Sequence, residues 1–475
     1  MDRDGRPHPN PPGGRTGARR ERLRQHLRQA RAATARLAGR AAASARAVAL
    51  RVRRTPPPPG PFRPGFWRSP LRGPWLTSVF GLVLLAGLPL IFVTGLLSYA
   101  AYNPGLGPLN DQTPDKGILG FYLFDWPTHP YWLYRLTQGV HVTLGVALVP
   151  VLLAKLWSVI PRLFAWPPVR GVAHGLERLS LLLLVGGAGL EFVTGILNIQ
   201  LLYVFPGSFY TLHFYGAWVF IAAFAVHVAL KLGRMTRALR SRVPAAELRT
   251  GLAATRPEPP DPDHLVAAAP RPPTMTRRGA VGMVGAGSLL LLVVTAGQSI
   301  GGRLRASALL APHGRDPGSG PDGFQINKTA AAVGITRAQL GPSWRLEVRG
   351  HGPALILTRA QLLALPQHAA ALPIACVEGW STADQHWSGP RLTDLAALAG
   401  LPHSGSVLVE SVQPPGPYSS VVLRGNQIHD HRALLALRVN GADLSIDHGF
   451  PARVIVPANP GVNNTKWVHR LTFRT

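Results

Sequence analysis

The sequence has a single cysteine in 475 residues. No intramolecular disulfide framework is open to it, and no multi-cysteine zinc or iron–sulfur site. Acidic residues are also scarce: 22 Asp and Glu stand against 50 Lys and Arg, for a net charge of +28. Such a balance ordinarily raises nucleic acid as a partner. Yet only 15% of residues are charged, 46% are apolar and the mean hydropathy is positive at +0.12. This composition argues against a nucleic-acid binder and for a membrane protein of two or three domains.

The positive charge is unevenly placed. Residues 1–74 carry eighteen Arg against Asp2, Asp4 and Glu21, amid Pro, Gly and Ala. The segment buries too little apolar surface to fold alone and reads as a disordered basic cytoplasmic tail. A basic helix over about residues 20–53 on an anionic lipid surface is the alternative.

Five apolar stretches follow, each near the ~20 residues a bilayer span needs. They cover about 75–101, 131–157, 179–203, 209–232 and 279–300. Cations gather before the first, between the second and third (Arg162, Arg170), and between the fourth and fifth (Arg234, Arg237, Arg240, Arg277, Arg278 among them). The excess of cations on cytoplasmic loops puts the N-terminus inside and everything after Ile300 outside the cell membrane. The expected organisation is a tail at 1–74, a four-helix membrane domain at 75–235, a cytoplasmic linker at 236–277, a fifth transmembrane helix at 278–300, a linker at 301–321 and a soluble α+β domain at 322–475. In that last domain, β-like runs are expected at 344–348, 354–357, 407–412, 419–423 and 453–456, with a helix at 391–399.

The first and third spans share a repeat, Phe92-Val93-Thr94-Gly95-Leu96 against Phe192-Val193-Thr194-Gly195-Ile196. It points to two helical hairpins of similar design, with chance likeness between apolar segments as the other reading.

Ionisable side chains inside a span are costly and mark function. His213 and His227 lie on one helix, about 40° apart around its axis and about 21 Å apart along it. That spacing suits two haems stacked across a bilayer, each with axial imidazoles. His141 on the second span falls within about 6 Å of the depth of His213, so these two pair at an outer haem. His227 takes His174 as its inner partner, and His129 in the outer loop is a reserve candidate. Glu191 is a candidate for proton transfer in quinol oxidation, or else a carboxylate paired with a polar group of the bundle. Histidines merely hydrogen-bonded in the bundle are the plainer alternative. The two-histidine fourth helix and the histidine in the second make residues 70–235 resemble the di-haem b-type cytochrome subunits of respiratory complexes. The resemblance implies one or two haem b groups and a quinone or quinol partner. The first span lacks the histidine that such subunits often place at the inner haem.

The lone cysteine sits in Ile374-Ala375-Cys376-Val377-Glu378-Gly379-Trp380-Ser381, followed by Trp387-Ser388-Gly389. Later come His448-Gly449-Phe450-Pro451-Ala452-Arg453 and Lys466-Trp467. In this order the three motifs resemble the sulfite-oxidase family of molybdopterin proteins. The resemblance implies a molybdenum centre ligated by Cys376, a thiolate being a soft ligand for a transition metal. It implies cofactor contacts from Asn327, Glu378, Gly379, Trp380, Ser381, His448, Gly449, Arg453, Gly461 and Lys466, with Arg453 and Lys466 as donors to the pterin phosphate. Trp380 and Ser381 stand where the sulfite-oxidising members carry an Arg, which is more like the methionine-sulfoxide-reductase branch.

Thr276-Arg277-Arg278-Gly279 before the fifth span resembles a twin-arginine export signal, making the Tat machinery a candidate partner; ordinary positive-inside flanking is the alternative. The expected whole is a molybdopterin oxidoreductase in the membrane that passes electrons between quinone, haem and molybdenum and reduces a small-molecule or protein sulfoxide by oxygen-atom transfer. A sulfite-type dehydrogenase delivering electrons to quinone, and a non-catalytic redox sensor, are the alternatives.

Overall fold

The structure, a computed structural model, describes residues 55–102, 123–168, 171–200, 202, 204, 209–261, 264–311, 317–415 and 418–475, with single positions between 39 and 47. The expectation of a disordered tail falls, up to residue 54, outside the described residues. The chain divides into two compact units, residues 1–67 with 163–179 and residues 68–162 with 180–475.

In the first unit the tail reading does not hold through to residue 74. Residues Gly60–Phe62 and Pro64–Phe66 form 3-10 turns. Phe62 packs edge-on against Phe164 at 5.4 Å and Trp166 at 6.0 Å, and Trp67 lies 5.8 Å from Phe164. Four aromatic rings supply the apolar area that the Arg-rich composition of 1–54 lacks.

The second unit holds most of five long apolar helices: α1 (Pro74–Tyr102), α2 (Leu133–Leu163), α3 (Val172–Ile199), α4 (Phe209–Arg240) and, after the short α5 (Pro244–Arg249), α6 (Arg277–Ile300). All five long helices are apolar enough to cross a membrane. Leu76, Phe80, Leu84 and Leu88 of α1 pack with Leu148, Val151 and Leu152 of α2, Ala188 of α3, Phe220 of α4 and Ala280 of α6. The outward faces stay apolar too: Leu82 and Val93, Leu153, Leu182 and Val193, Val226 and Leu230, Leu289 and Leu290 are all exposed. In water such a surface aggregates; hydrocarbon solvates it.

Helix α4 runs past its expected end, and the segment expected as a linker at 236–277 is partly built. Arg277, one of the twin arginines, is buried and pairs with Glu247 of α5 at 2.6 Å, and Arg242 pairs with the same carboxylate. Burial works against the Glu247 charge, but the two guanidinium groups outweigh it and hold the carboxyl below its ordinary range. Glu258 accepts the Trp75 N–H at 3.0 Å, satisfying an orphan donor in the first turn of α1.

The C-terminal domain has a five-stranded sheet in the order β2-β1-β11-β5-β6, where β1 is Leu346–Arg349, β2 Leu355–Leu357, β5 Ser406–Ser411, β6 Ser420–Arg424 and β11 Val468–Arg474. Only the β1–β11 pair is parallel. β5 shows the alternation of a half-buried strand: Val407 and Val409 point inward with Leu471 and Phe473 of β11, against Leu392 and Leu395 of helix α7 (Leu392–Leu398). A second sheet joins β3 (His368–Leu372), β4 (Gln385–Gly389), β8 (Arg438–Val439) and β9 (Ala442–Asp443); β10 (Arg453–Ile455) pairs with β7 (Leu434–Ala436).

A clamp ties this domain to the segment leading into α2. Asp430, its side chain buried, takes Arg432 at 2.8 Å and His129 at 3.3 Å, and Arg432 also donates to the Thr128 carbonyl. His129 is thereby corrected from reserve haem ligand to clamp residue: it sits outside the helices, where a buried carboxylate recruits it. Burial alone would raise the Asp430 carboxyl, but hydrogen bonds from Arg432 prevail and hold it at about 2. The charge therefore contributes stability above the ordinary carboxylate range, and that contribution is lost as pH falls through about 2. Asp430→Asn should destabilise the protein by about 1–3 kcal/mol near neutrality, with the gap to wild type closing as pH falls from about 4 to about 2. Thermal unfolding across that range checks this; equal melting temperatures at neutral pH would discard the clamp.

Candidate active site

The segment between β3 and β4 carries the cysteine. Cys376 N–H donates to the Trp380 carbonyl at 2.9 Å, and Gly379 N–H to the Cys376 carbonyl at 3.0 Å, closing a tight loop. Gly379 has φ +90, a conformation that a side chain disfavours. Trp380 is buried, and its indole N–H is fixed on the Glu378 carboxylate at 2.6 Å. The Gly461 N–H donates to the Ala375 carbonyl at 2.6 Å, bringing the later glycine segment beside the loop. Cys376 itself is buried among Ile374, Trp380, Trp387 and Ile455. Burial, with Glu378 adding, raises its thiol well above the ordinary value. A bound cation reverses that preference, because a coordinating thiol is deprotonated outright.

The remaining candidates converge on one side of the same core. Arg453 is buried, its guanidinium 5.5 Å over the Trp387 ring, donating to the carbonyls of Asn464 and His448. Lys466 donates to the carbonyls of Lys328 at 2.5 Å and Asp447 at 2.9 Å. Burial brings the Arg453 guanidinium down to about 9, and burial with Arg453 nearby holds the Lys466 amine well below its usual value. Gly449 (φ +111) brings its backbone against both: a Cβ there would lie 3.1 Å from Lys466 and 3.2 Å from Arg453. Asn327 is half-buried next to Lys328.

His448, expected as a cofactor contact, has a partner within the chain at each ring nitrogen. Its Nδ1 meets Ser445 Oγ at 2.8 Å, its Nε2 meets the Phe324 carbonyl at 3.2 Å, and its ring lies 3.9 Å from that of Phe324. Burial, then the charge of Arg453, lowers the imidazole to about 4. A neutral, internally bonded His448 anchors the 322–328 segment beside Arg453. Ser381 likewise uses its backbone: its N–H donates to the Gln298 carbonyl at 2.8 Å, and its carbonyl accepts from Arg305 at 2.9 Å.

These last contacts bring in residues that the sequence did not single out. Ser299 at the end of α6 donates to the Gly379 carbonyl, and Gln138 on α2 donates to the Val377 carbonyl. Gln138, polar within an apolar span and three positions before His141, carried a sequence signal for such a role. Tyr134 of α2 is buried in one cluster with Ala375, Val377, Ala100 and Trp126.

Below the loop, the structure brings His141 of α2 and His213 of α4 together, ring centres 6.1 Å apart and planes at 85°. Glu191 sits 3.2 Å from His213 Nδ1, so the carboxylate is paired with a polar group of the bundle. His227 is half-buried further along α4, and His174 is half-buried at the start of α3 in the first unit.

Comparison with known proteins bears on the C-terminal domain. A family profile described as oxidoreductase molybdopterin binding domain matches residues 333–475. The segment is related to known enzymes. Residues 333–475 are a molybdopterin-binding oxidoreductase domain of the sulfite-oxidase type. Mitochondrial sulfite oxidase of Drosophila melanogaster is 31% identical over 153 residues, covering 27% of this chain and 26% of that one. Mouse mitochondrial sulfite oxidase is 31% identical over 160 residues, 28% of this chain and 29% of that one. The uncharacterized oxidoreductase YuiH of Bacillus subtilis is 29% identical over 131 residues, 27% of this chain and 65% of its own. The chain thus spans about a quarter of the length of the sulfite oxidases it matches. Among solved structures, the sulfane dehydrogenase SoxCD of Paracoccus pantotrophus is 24% identical, with a TM-score of 0.26 over 28% of this chain and 38% of that one.

The residues of the molybdopterin domain fit its cofactor. Two cations are buried side by side, and among the described residues neither forms an ion pair with a carboxylate, which is a costly arrangement until an anion joins it. Two further buried polar atoms, Gln325 Nε2 and Thr465 Oγ1, also lack partners among the described residues.

The loop's seat can be tested through Gly379. A Cβ there would lie 2.7 Å from Val142 Cβ on α2. Gly379→Ala should lower molybdenum content in purified protein, and adding Val142→Gly, which removes the clashing Cβ, should restore part of it, because the positive φ still costs about 1–3 kcal/mol. Metal analysis decides; unchanged molybdenum in Gly379→Ala would reject the seat.

Proposed function

We propose that this chain is a membrane-bound molybdopterin oxidoreductase that links the quinone pool, b-type haem and a molybdenum centre, and reduces a sulfoxide-like substrate on the extracytoplasmic face. The observation that carries the reading is the seating of the cysteine loop on the ends of α2 and α6, with His141 three residues from Gln138. That offset is about 4.5 Å along a helix axis. Bound here, a molybdenum centre supplies two-electron oxygen-atom chemistry and haem supplies one-electron transfer.

The chain's own residues bind and orient. Cys376 offers the metal ligand, from a loop whose shape Gly379 and the Glu378–Trp380 hydrogen bond fix. Arg453 and Lys466 answer the charge of a pterin phosphate, Arg as a planar fork and Lys as a point charge. Trp380, Trp387 and Phe324 exclude water around them. His141 and His213, with ring centres 6.1 Å apart, are the residues that would hold a haem iron between them. The exposed leucines and valines of the helices support contact with lipid, and the arginine-rich flanks support an inside N-terminus.

The sulfite oxidases among its relatives favour a second reading, in which a sulfite-type substrate is oxidised and electrons run toward quinone. One experiment separates the two. In purified protein, dithionite-reduced haem should reoxidise on adding a sulfoxide, and Cys376→Ser should abolish that response while leaving the haem spectrum intact. Reduction of oxidised haem by sulfite would support the reverse circuit; silence toward both would reject each. Retained turnover in Cys376→Ser would remove the thiolate ligand.

A further inference from the structure

The sequence repeat in α1 and α3 has a physical counterpart. Thr94 Oγ1 lies 3.3 Å from His141 Nδ1, and Thr194 Oγ1 lies 3.0 Å from His213 Nδ1. Each threonine therefore addresses the histidine of the following helix in its own hairpin. The direction of the hydrogen bond follows from the second partner of each ring. His141 Nδ1 lies 3.0 Å from the Ile91 carbonyl, which can only accept, and His213 Nδ1 lies 3.2 Å from the Glu191 carboxylate, so each Nδ1 donates. Each threonine hydroxyl can accept from the same Nδ1–H, since Thr94 has the Leu90 carbonyl at 2.8 Å and Thr194 the Leu190 carbonyl at 2.6 Å to take its own proton. Donation from Nδ1 leaves Nε2 bare on both rings, the tautomer that binds iron.

The next residue of the repeat supplies room. A Cβ on Gly95 would lie 3.0 Å from His141 Cε1, and one on Gly195 would lie 3.4 Å from His213 Cε1. Thr-Gly thus acts as a unit: hydroxyl to set the tautomer, missing side chain to admit the ring. The second partners differ. His141 Nδ1 also meets the Ile91 carbonyl at 3.0 Å, whereas His213 Nδ1 also meets the Glu191 carboxylate at 3.2 Å.

We propose that Thr94 and Thr194, each with the glycine after it, are a duplicated pair of positioning residues that hold His141 and His213 as the two axial ligands of one haem. This rests on the haem reading above and adds the residues that tune it. A threonine that accepts from Nδ1–H makes its imidazole a stronger electron donor and stabilises ferric iron. Removing such a partner costs roughly 10–100-fold in metal affinity.

The test compares full-length wild type with Thr94→Val, Thr194→Val and the Thr→Ser versions of both, in detergent. Haem content per protein, the electron paramagnetic resonance spectrum of the ferric form and a redox titration are read on each. Thr→Val should lower haem retention about tenfold and raise the midpoint potential, while Thr→Ser restores both. A tenfold loss borne by the ferric form alone corresponds to about 59 mV for one electron. Gly95→Ala should disturb the ferric spectrum more than Gly195→Ala, following the two clearances. Molybdenum content serves as the folding control, since neither threonine touches the cysteine loop. Haem present in wild type with unchanged content and potential in both Thr→Val variants would overturn the positioning role alone. Wild type purified without haem absorbance would overturn the haem reading and the positioning role together.

Discussion

The cysteine loop of the molybdopterin domain is held by hydrogen bonds to its backbone from two apolar helices. The carbonyls of Val377 and Gly379 accept from Gln138 and Ser299, and the amide of Ser381 donates to the end of α6. A backbone group lost from such a boundary costs about 1–3 kcal/mol if left unpaired, so the loop cannot leave the helices without exposing or stranding several. The residues flanking Cys376 are thereby positioned by the bundle as well as by their own domain. The side chains at positions 378 and 380 then turn inward, onto each other. The Asp430 clamp on the 123–130 segment and the Trp126 indole, which donates to the Ala458 carbonyl at 2.7 Å, add further anchors.

The electrostatics of the domain complement this mechanical arrangement. Arg453 and Lys466 are buried on backbone carbonyls, which solvate a cation only partly. Burial is what chiefly lowers the proton affinity of both, so each is a cation that water no longer solvates. Burial, and then the charge of Arg453, keeps His448 neutral beside them. An anion entering here is drawn by charge already in place, so its binding needs little rearrangement of the protein.

Much of this was legible in the sequence, and the limits are physical. Five long apolar runs announce five long helices because hydropathy is local. The expected helix at 391–399 and the strands near 344–348, 354–357, 407–412, 419–423 and 453–456 are present within a few residues. β3 was not legible: His-Ala-Ala-Ala-Leu has little β preference, and only pairing with β4 makes it a strand. β11 carries an alternating pattern, Val468 and Leu471 to Phe473 inward, that a motif reading ending at Trp467 passes over. Motifs identify donor types but not which atoms the protein itself consumes: both ring nitrogens of His448 and the backbone N–H and carbonyl of Ser381 have partners within the chain. His129 shows the same limit, since its partner lies about 300 positions away.

The two hairpins share a socket but not a neighbourhood. His213 shares its Nδ1 with the Glu191 carboxylate, inside the bundle. His141 shares its Nδ1 with a neutral carbonyl and sits on the helix whose Gln138 reaches the cysteine loop. In the proposed circuit both imidazoles would act on one iron, so the Nδ1 partners of the two rings add to a single electron donation that stabilises its oxidised form. Duplication supplies two equivalent histidine supports, and divergence of one position in each, Ile91 against Glu191, gives one ring a carboxylate partner that the other lacks. That divergence sits in side chains on a shared Thr-Gly pattern, so the iron's environment is adjusted without altering the residues that set the two rings.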